Sequence, residues 1–118
     1  MPRFEPFRAI HYDLGAIDPA AVTAPPYDVI SPDDRVALCD RSPANVVRID
    51  LPIDGTDPYA EAASLFATWR AEGVLVTDEA PSFTVYRMEA PDEDGVVRHT
   101  TGVIGAMELS RPGEGGIL

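Results

Sequence analysis

The longest regular pattern of apolar positions runs from Pro58 to Glu72, where Tyr59, Ala62, Phe66 and Trp69 recur at spacings of three, four and three. That period puts them on one side of a helix, with Ala63 and Leu65 widening the stripe. Asp57 suits the N-cap, Pro58 the first helical position and Gly73 the C′ position. An aromatic stripe at this spacing predicts packing onto a sheet, with Phe66 and Trp69 in the core. A second helix is predicted from Pro32 to Asp40, capped by Ser31, with Asp33 and Asp34 near the positive end of its dipole. Val36, Leu38 and Cys39 would be its apolar side, and Ser42-Pro43 would end it. Asp18-Pro19-Ala20-Ala21-Val22 allows one further helical turn.

Alternation of period two marks the strands. Arg8–Asp13 reads as a first strand, with Ile10 and Tyr12 on one face. Asn45–Leu51 is the clearest short strand, with Val47, Ile49 and Leu51 on one face and Val46, Arg48 and Asp50 on the other. Val74-Leu75-Val76 is a brief apolar extension. Ser82–Met88 and Val96–Leu109, joined by the polar turn Pro91-Asp92-Glu93-Asp94-Gly95, predict an antiparallel hairpin. Gly102 and Gly105 inside the return strand suggest a bulge or a close approach by another backbone. The predicted class is α+β: a mixed, largely antiparallel sheet carrying a C-terminal hairpin, covered by two principal helices. The strands near Ile10, Val47, Val85 and Ile104 would share that one sheet.

Between these elements lies Ala24-Pro25-Pro26-Tyr27-Asp28-Val29-Ile30-Ser31-Pro32. The two adjacent prolines stiffen the backbone and keep the residues before them extended. Such a loop delivers Tyr27 and Asp28 to the mouth of a helix, which is a way to build a site and equally a way to build a turn.

Bulk properties narrow the field. The 118 residues are the length of one domain, and 45% apolar with 25% charged residues is ordinary globular composition. The formal charge of −11, from 20 acids against 9 bases, repels phosphate backbones and anionic lipid. Neither nucleic acid nor membrane is therefore expected as a partner of this segment. The single cysteine, Cys39, has no disulfide partner within the chain, and its helical surroundings predict a buried thiol. No signal peptide or membrane-spanning run is present, so the cytoplasm is the expected compartment. His11 and His99 stand too far apart, without Cys or His at ligand spacing, to predict a metal site. His11 is expected to be a hydrogen-bonded structural histidine. Glycine loops of the GxxxxGK[ST] or GxGxxG type and a GxSxG elbow are missing. Gly95-Val96-Val97-Arg98 has the look of a phosphate clamp, but a hairpin tip with no helix behind it weighs against that. The final Ser110–Leu118 segment begins as a loop and stops on Gly-Gly-Ile-Leu, which suggests an N-terminal domain cut from a longer chain.

Seven segments occur in a familiar order. They are Arg3–Ala9, the Ala24–Pro32 loop, Pro43–Arg48, Trp69–Leu75, Val85-Tyr86-Arg87, Gly102–Ala106 and Gly113–Leu118. Together they resemble the start of domain-of-unknown-function family ten-fifteen, a bacterial and archaeal family labelled ParB-related. The resemblance implies considerably longer relatives with a mid-chain Asp-Gly-His-His-Arg motif that this chain lacks. It also implies nucleotide phosphates held by a glycine-and-arginine segment in the ParB and free-serine-kinase superfamily. The cofactor of this chain is unknown; what the resemblance implies is a nucleotide, with or without Mg²⁺, bound only by a full-length relative. By the same resemblance the Ala24–Pro32 loop lines the site, making Asp28 the candidate catalytic residue and Tyr27 and Ser31 candidate substrate contacts. Asp28 would act as general base or metal ligand, against the alternative of closing an Asx-turn onto its own backbone.

Three functions follow as expectations. The first is a nucleotide-dependent kinase or phosphotransferase acting on a small metabolite, for which the isolated chain would be inactive. The second is a ParB-like, nucleotide-gated DNA-associated protein, which the acidic balance opposes for this segment. The third is a non-catalytic scaffolding subdomain. In each, the partner is the missing C-terminal portion of the same chain, and the surface meant to meet it would be apolar and exposed.

Overall fold

The computed structural model describes residues 2–113. In chain order the elements are β1 (Phe4–Glu5), β2 (Ile10–Tyr12), α1 (Pro19–Val22), a 3₁₀ turn (Tyr27–Val29), α2 (Pro32–Arg41), α3 (Val47–Asp50), α4 (Pro58–Ala71), β3 (Leu75–Thr77), β4 (Thr84–Pro91), β5 (Val97–Ile104) and β6 (Ala106–Met107). The class is α+β. Among the described residues the strands do not share one mixed sheet: they lie in three two-stranded pairs, β1–β6, β2–β3 and β4–β5. Two compact units result, Ile10–Val76 and residues 2–9 with 77–113.

Every fully buried residue among those described belongs to the Ile10–Val76 unit. Its apolar core is Val22, Leu38, Val47, Ala62, Trp69 and Leu75. Three helices start on acceptors suited to their orphan amides. Asp18 Oδ1 accepts from Ala20 N at 3.0 Å, Ser31 Oγ from Asp34 N at 3.1 Å and Asp57 Oδ1 from Ala60 N at 3.2 Å. Gly73, at φ +78°, supplies the left-handed residue after α4. Ala62 and Trp69 are the buried positions of the α4 stripe, and Leu65 and Phe66 are half-buried. Tyr59 is 80% exposed, so the stripe begins one turn later than its spacing predicts. Tyr12 on β2 packs its ring 6.2 Å from that of Trp69 and donates its hydroxyl to Ala44 O at 2.7 Å. Its partial burial raises the phenol above its ordinary pKa.

On α2 the inward side is Arg35 and Leu38, with Cys39 half-buried and Val36 exposed. The apolar side predicted through Val36 is thus corrected. Arg35 can be inside because its polar head is met: Nε donates to Leu51 O at 2.9 Å, and Nη2 pairs with Asp54 Oδ2 at 3.3 Å.

The predicted Asn45–Leu51 strand is not a strand. Val47–Asp50 is helical, because local acceptors capture the backbone before a neighbouring strand can. Ser42 Oγ accepts from Ala44 N at 3.0 Å, and Asn45 Oδ1 accepts from Val47 N at 3.0 Å. Asp50 N and Leu51 N then bond back to Val46 O and Val47 O, each at 2.9 Å. Asn45 is 0% exposed and its Nδ2 donates to Ala21 O at 2.9 Å and Thr23 O at 3.1 Å, stitching α1 to α3. Asn45→Ala leaves two carbonyls and the Val47 amide without partners in a buried place. A loss of about 2–3 kcal/mol in urea unfolding is expected, and a loss under about 0.5 kcal/mol would contradict this role.

In the other unit, β4 and β5 form the predicted antiparallel hairpin, in register from Thr84↔Ile104 to Pro91↔Val97. Its turn is held by Asp92, whose Oδ1 accepts from Asp94 N at 2.9 Å and Val96 N at 3.0 Å. Arg98 Nε donates to Asp92 Oδ2 at 2.9 Å, and this bond, with the Val96 amide, keeps the Asp92 carboxyl below its ordinary pKa. Gly102 lies opposite Tyr86, and a Cβ there would overlap the Tyr86 ring. At Gly102 the approach is by a cross-strand aromatic ring, whereas at Gly105 the Glu5 backbone oxygen also comes within 3.1 Å of where a Cβ would stand, the expected backbone approach. A Cβ at Gly105 would come within 2.6 Å of the Phe4 ring, at the break that divides the return run into β5 and β6. Phe4 also stacks on Phe83 at 5.5 Å. None of the described residues in this unit is fully buried, and Val85 is 67% exposed, with Met88, Val97 and Val103 likewise open.

Candidate functional site

Pro25 and Pro26 lead into the 3₁₀ turn, in which Val29 N donates to Pro26 O at 3.1 Å and Ile30 N to Tyr27 O at 3.4 Å. Ser31 is extended (φ −75°, ψ 165°) and begins α2. Its hydroxyl accepts from Asp34 N, and its own N–H donates to Asp34 Oδ2, both at 3.1 Å, which completes a capping box. The loop is therefore pinned at both ends, by proline geometry on one side and a double cap on the other. On it Tyr27 is 60% exposed and Asp28 is exposed. Asp28 makes no hydrogen bond or ion pair among the described residues, so it does not close an Asx-turn.

Tyr27 and Asp28 are thus brought together on one exposed turn, and Ser31 sits at the helix start with its oxygen engaged in the cap. A shallow cleft of about 270 Å³ beside α2 is lined by Pro25, Asp34, Ala37, Leu38 and Arg41, and by none of the three candidates. Whether a cleft opens toward Leu118 concerns residues outside those described.

The bonds from Ser31, its backbone amide first, hold the Asp34 carboxyl below its ordinary pKa. Its ionised form is thereby favoured in the folded state, so this contribution is present above the ordinary carboxylate range and lost as pH falls through the lowered value. Ser31→Ala should cost about 1 kcal/mol at neutral pH. Asp34→Asn, which removes the carboxylate that the Ser31 amide holds, should also be less stable than the parent at neutral pH, and that gap, followed by thermal unfolding, should narrow on acidification. A gap that widens on acidification would contradict the capping box.

The remaining candidates are occupied in other ways. His99 Nδ1 lies 2.9 Å from Arg87 Nη2 and 3.2 Å from Glu89 Oε1, a cross-strand cluster on the hairpin. Arg98, the arginine of the clamp-like segment, is bonded to Asp92 at the hairpin tip. His11 Nδ1 hydrogen-bonds with Tyr12 O at 2.8 Å. Among the described residues no three His, Cys, Asp or Glu side chains are grouped to hold a metal ion. No helix among them is long and apolar enough to cross a membrane.

Two cavities in the Ile10–Val76 unit were not foreseen. An apolar one of about 370 Å³ is walled by Ile10, Tyr12, Val46, Ile49, Phe66 and Trp69. A second, of about 170 Å³, has a mixed wall, polar at Arg48, Asp54, Glu61, Ser64 and Thr68 and apolar at Pro52, Pro58, Ala62 and Leu65. The polar α4 residues of the second wall recur at spacings of three and four, a polar stripe readable in the sequence beside the apolar one. A strand over Asn45–Leu51 gives no sign of Arg48 in this wall, which needs the helical α3.

A family model described as a protein of unknown function (DUF1015) matches residues 4–118. No curated protein and no solved structure matches the chain.

Proposed function

Since the chain belongs to the DUF1015 family, we propose that it is the N-terminal segment of a cytoplasmic, ParB- and serine-kinase-like enzyme that uses a nucleotide to act on a small metabolite. The observation that carries this reading is Asp28: an exposed carboxylate with no partner among the described residues, on a loop pinned by Pro25, Pro26 and the Ser31 cap. A rigid, unpaired carboxylate is what a general base toward a substrate hydroxyl needs. Tyr27, exposed on the same turn, offers a ring and a hydroxyl for substrate, while Ser31 holds the loop through its cap on Asp34. The described residues do not fit the nucleotide itself, since they contain no phosphate loop and Arg98 is engaged by Asp92. Its phosphates belong to the remainder of a longer family chain.

A scaffolding role is the second reading, favoured by the open apolar residues of β4 and β5, on which that remainder would pack. The DNA-associated reading is weakened by the charge of −11.

The test is to incubate a full-length family member with ADP, ATP and CTP and to follow both melting temperature and phosphate transfer. Saturating ADP or ATP should stabilise it by about 2.7 kcal/mol at a hundredfold excess over Kd, with turnover, while the 118-residue chain alone shows no turnover. A shift with CTP alone would favour the DNA-associated reading, and no shift with any of the three would contradict the enzyme.

A further inference from the structure

The cavity lined by Arg48 combines features that the core of the same unit does not explain. Arg48 on α3 lines it, and its guanidinium is only partly satisfied. Nη2 donates to Cys39 O at 3.2 Å, and Nε is sealed from solvent with no hydrogen-bond partner. Nη1 makes no hydrogen bond among the described residues and is not sealed, so it is the donor Arg48 has left to offer. Glu61 on α4 lines the same cavity, and its carboxylate makes no hydrogen bond or ion pair among the described residues. The third charge, Asp54, is already taken by Arg35 at 3.3 Å. What is left is one positive and one negative group on a single cavity, with no ion pair joining them among the described residues. The Ser64 and Thr68 hydroxyls stand on the same wall, three and seven residues beyond Glu61 on α4, and each can donate as well as accept.

We propose that this cavity binds a small zwitterion, its anionic group against Arg48 and its ammonium against Glu61, with Ser64 and Thr68 bonding the polar atoms between. Charge bookkeeping selects this class: a simple anion would leave Glu61 unmatched and facing it, and a simple cation would meet Arg48. The cavity, at about 170 Å³, has room for a molecule of a few heavy atoms. The proposal is independent of the role of Asp28.

The experiment uses the ¹⁵N-labelled 118-residue chain, titrated with glycine, β-alanine and 4-aminobutyrate, three zwitterions of increasing length. Acetate and methylammonium at equal concentration serve as the single-charge probes. At least one zwitterion should shift the Ser64 and Thr68 amide resonances saturably, while acetate and methylammonium leave them in place. Glu61→Gln and Arg48→Gln should each weaken that binding about tenfold or more, the loss of one charge-assisted contact. Glu61 is exposed on α4, so Glu61→Gln keeps the fold and decides the matter even if Arg48→Gln does not fold. Failure of all three zwitterions to produce saturable shifts overturns the proposal. Acetate binding as well as the best zwitterion, or full affinity retained in Glu61→Gln, overturns it equally.

Discussion

Trp69→Ala is expected to lower the unfolding free energy by about 3–5 kcal/mol, a large part of what a domain of this size has. Trp69 is 5% exposed and is the largest member of a core that otherwise comprises Val22, Leu38, Val47, Ala62 and Leu75. Its ring meets Tyr12, whose hydroxyl in turn holds Ala44, so truncation loosens β2 and the approach to α3 together. It also borders the apolar cavity of about 370 Å³, and removing the indole would enlarge a space that collapse cannot readily fill. Because this is the only tryptophan, far-UV circular dichroism in urea is the measurement. The midpoint should fall with the slope unchanged, meaning lost stability and not a changed denatured state. Tyr59→Ala, on the same helix but 80% exposed, should stay within about 0.5 kcal/mol. A Trp69 loss no larger than that of Tyr59 would mean that the α4 stripe does not form the core.

The parts of this fold that could be read from the chain are those governed by local chemistry. The cap-and-proline starts of α1, α2 and α4, the Gly73 stop and the β4–β5 hairpin all follow from residues within a few positions of the feature. Misreadings arose where a distant partner decides. Val47, Ile49 and Leu51 alternate like a strand, but a short apolar run fits either period. Asn45 settles it by reaching Ala21 and Thr23, more than 20 residues away in the chain. The apolar pattern on α2 favours Val36 over Arg35, whose burial depends on Leu51 and Asp54, which no pattern on α2 announces. Without Val47 as a strand, the expected sheet loses one of its four members, and the described strands lie in pairs.

The candidate site was legible to the same degree. The prolines and the Ser31 cap foretell a stiff loop, and Tyr27 and Asp28 do stand side by side upon it. A cleft between them could not be read, because it needs walls from other elements, and the cleft beside α2 leaves all three candidates outside. The cavity at Arg48 is hidden for the opposite reason: most of its wall is on α4 in plain sight, and Arg48 reaches it only from a helical α3.

The functional reading stands on Asp28, and the most direct measurement is nucleotide-dependent turnover of a full-length family member carrying Asp28→Asn. Asp28 has no partner to lose among the described residues, so stability should change by less than about 1 kcal/mol. Turnover should nevertheless fall by about a hundredfold or more, the range that a positioned base contributes. Asp33→Asn, one turn on at the start of α2, is the control, with a dipole effect of about 0.3–1 kcal/mol and full activity per folded molecule. Turnover kept in Asp28→Asn, or lost equally in both variants, would contradict a site on this loop.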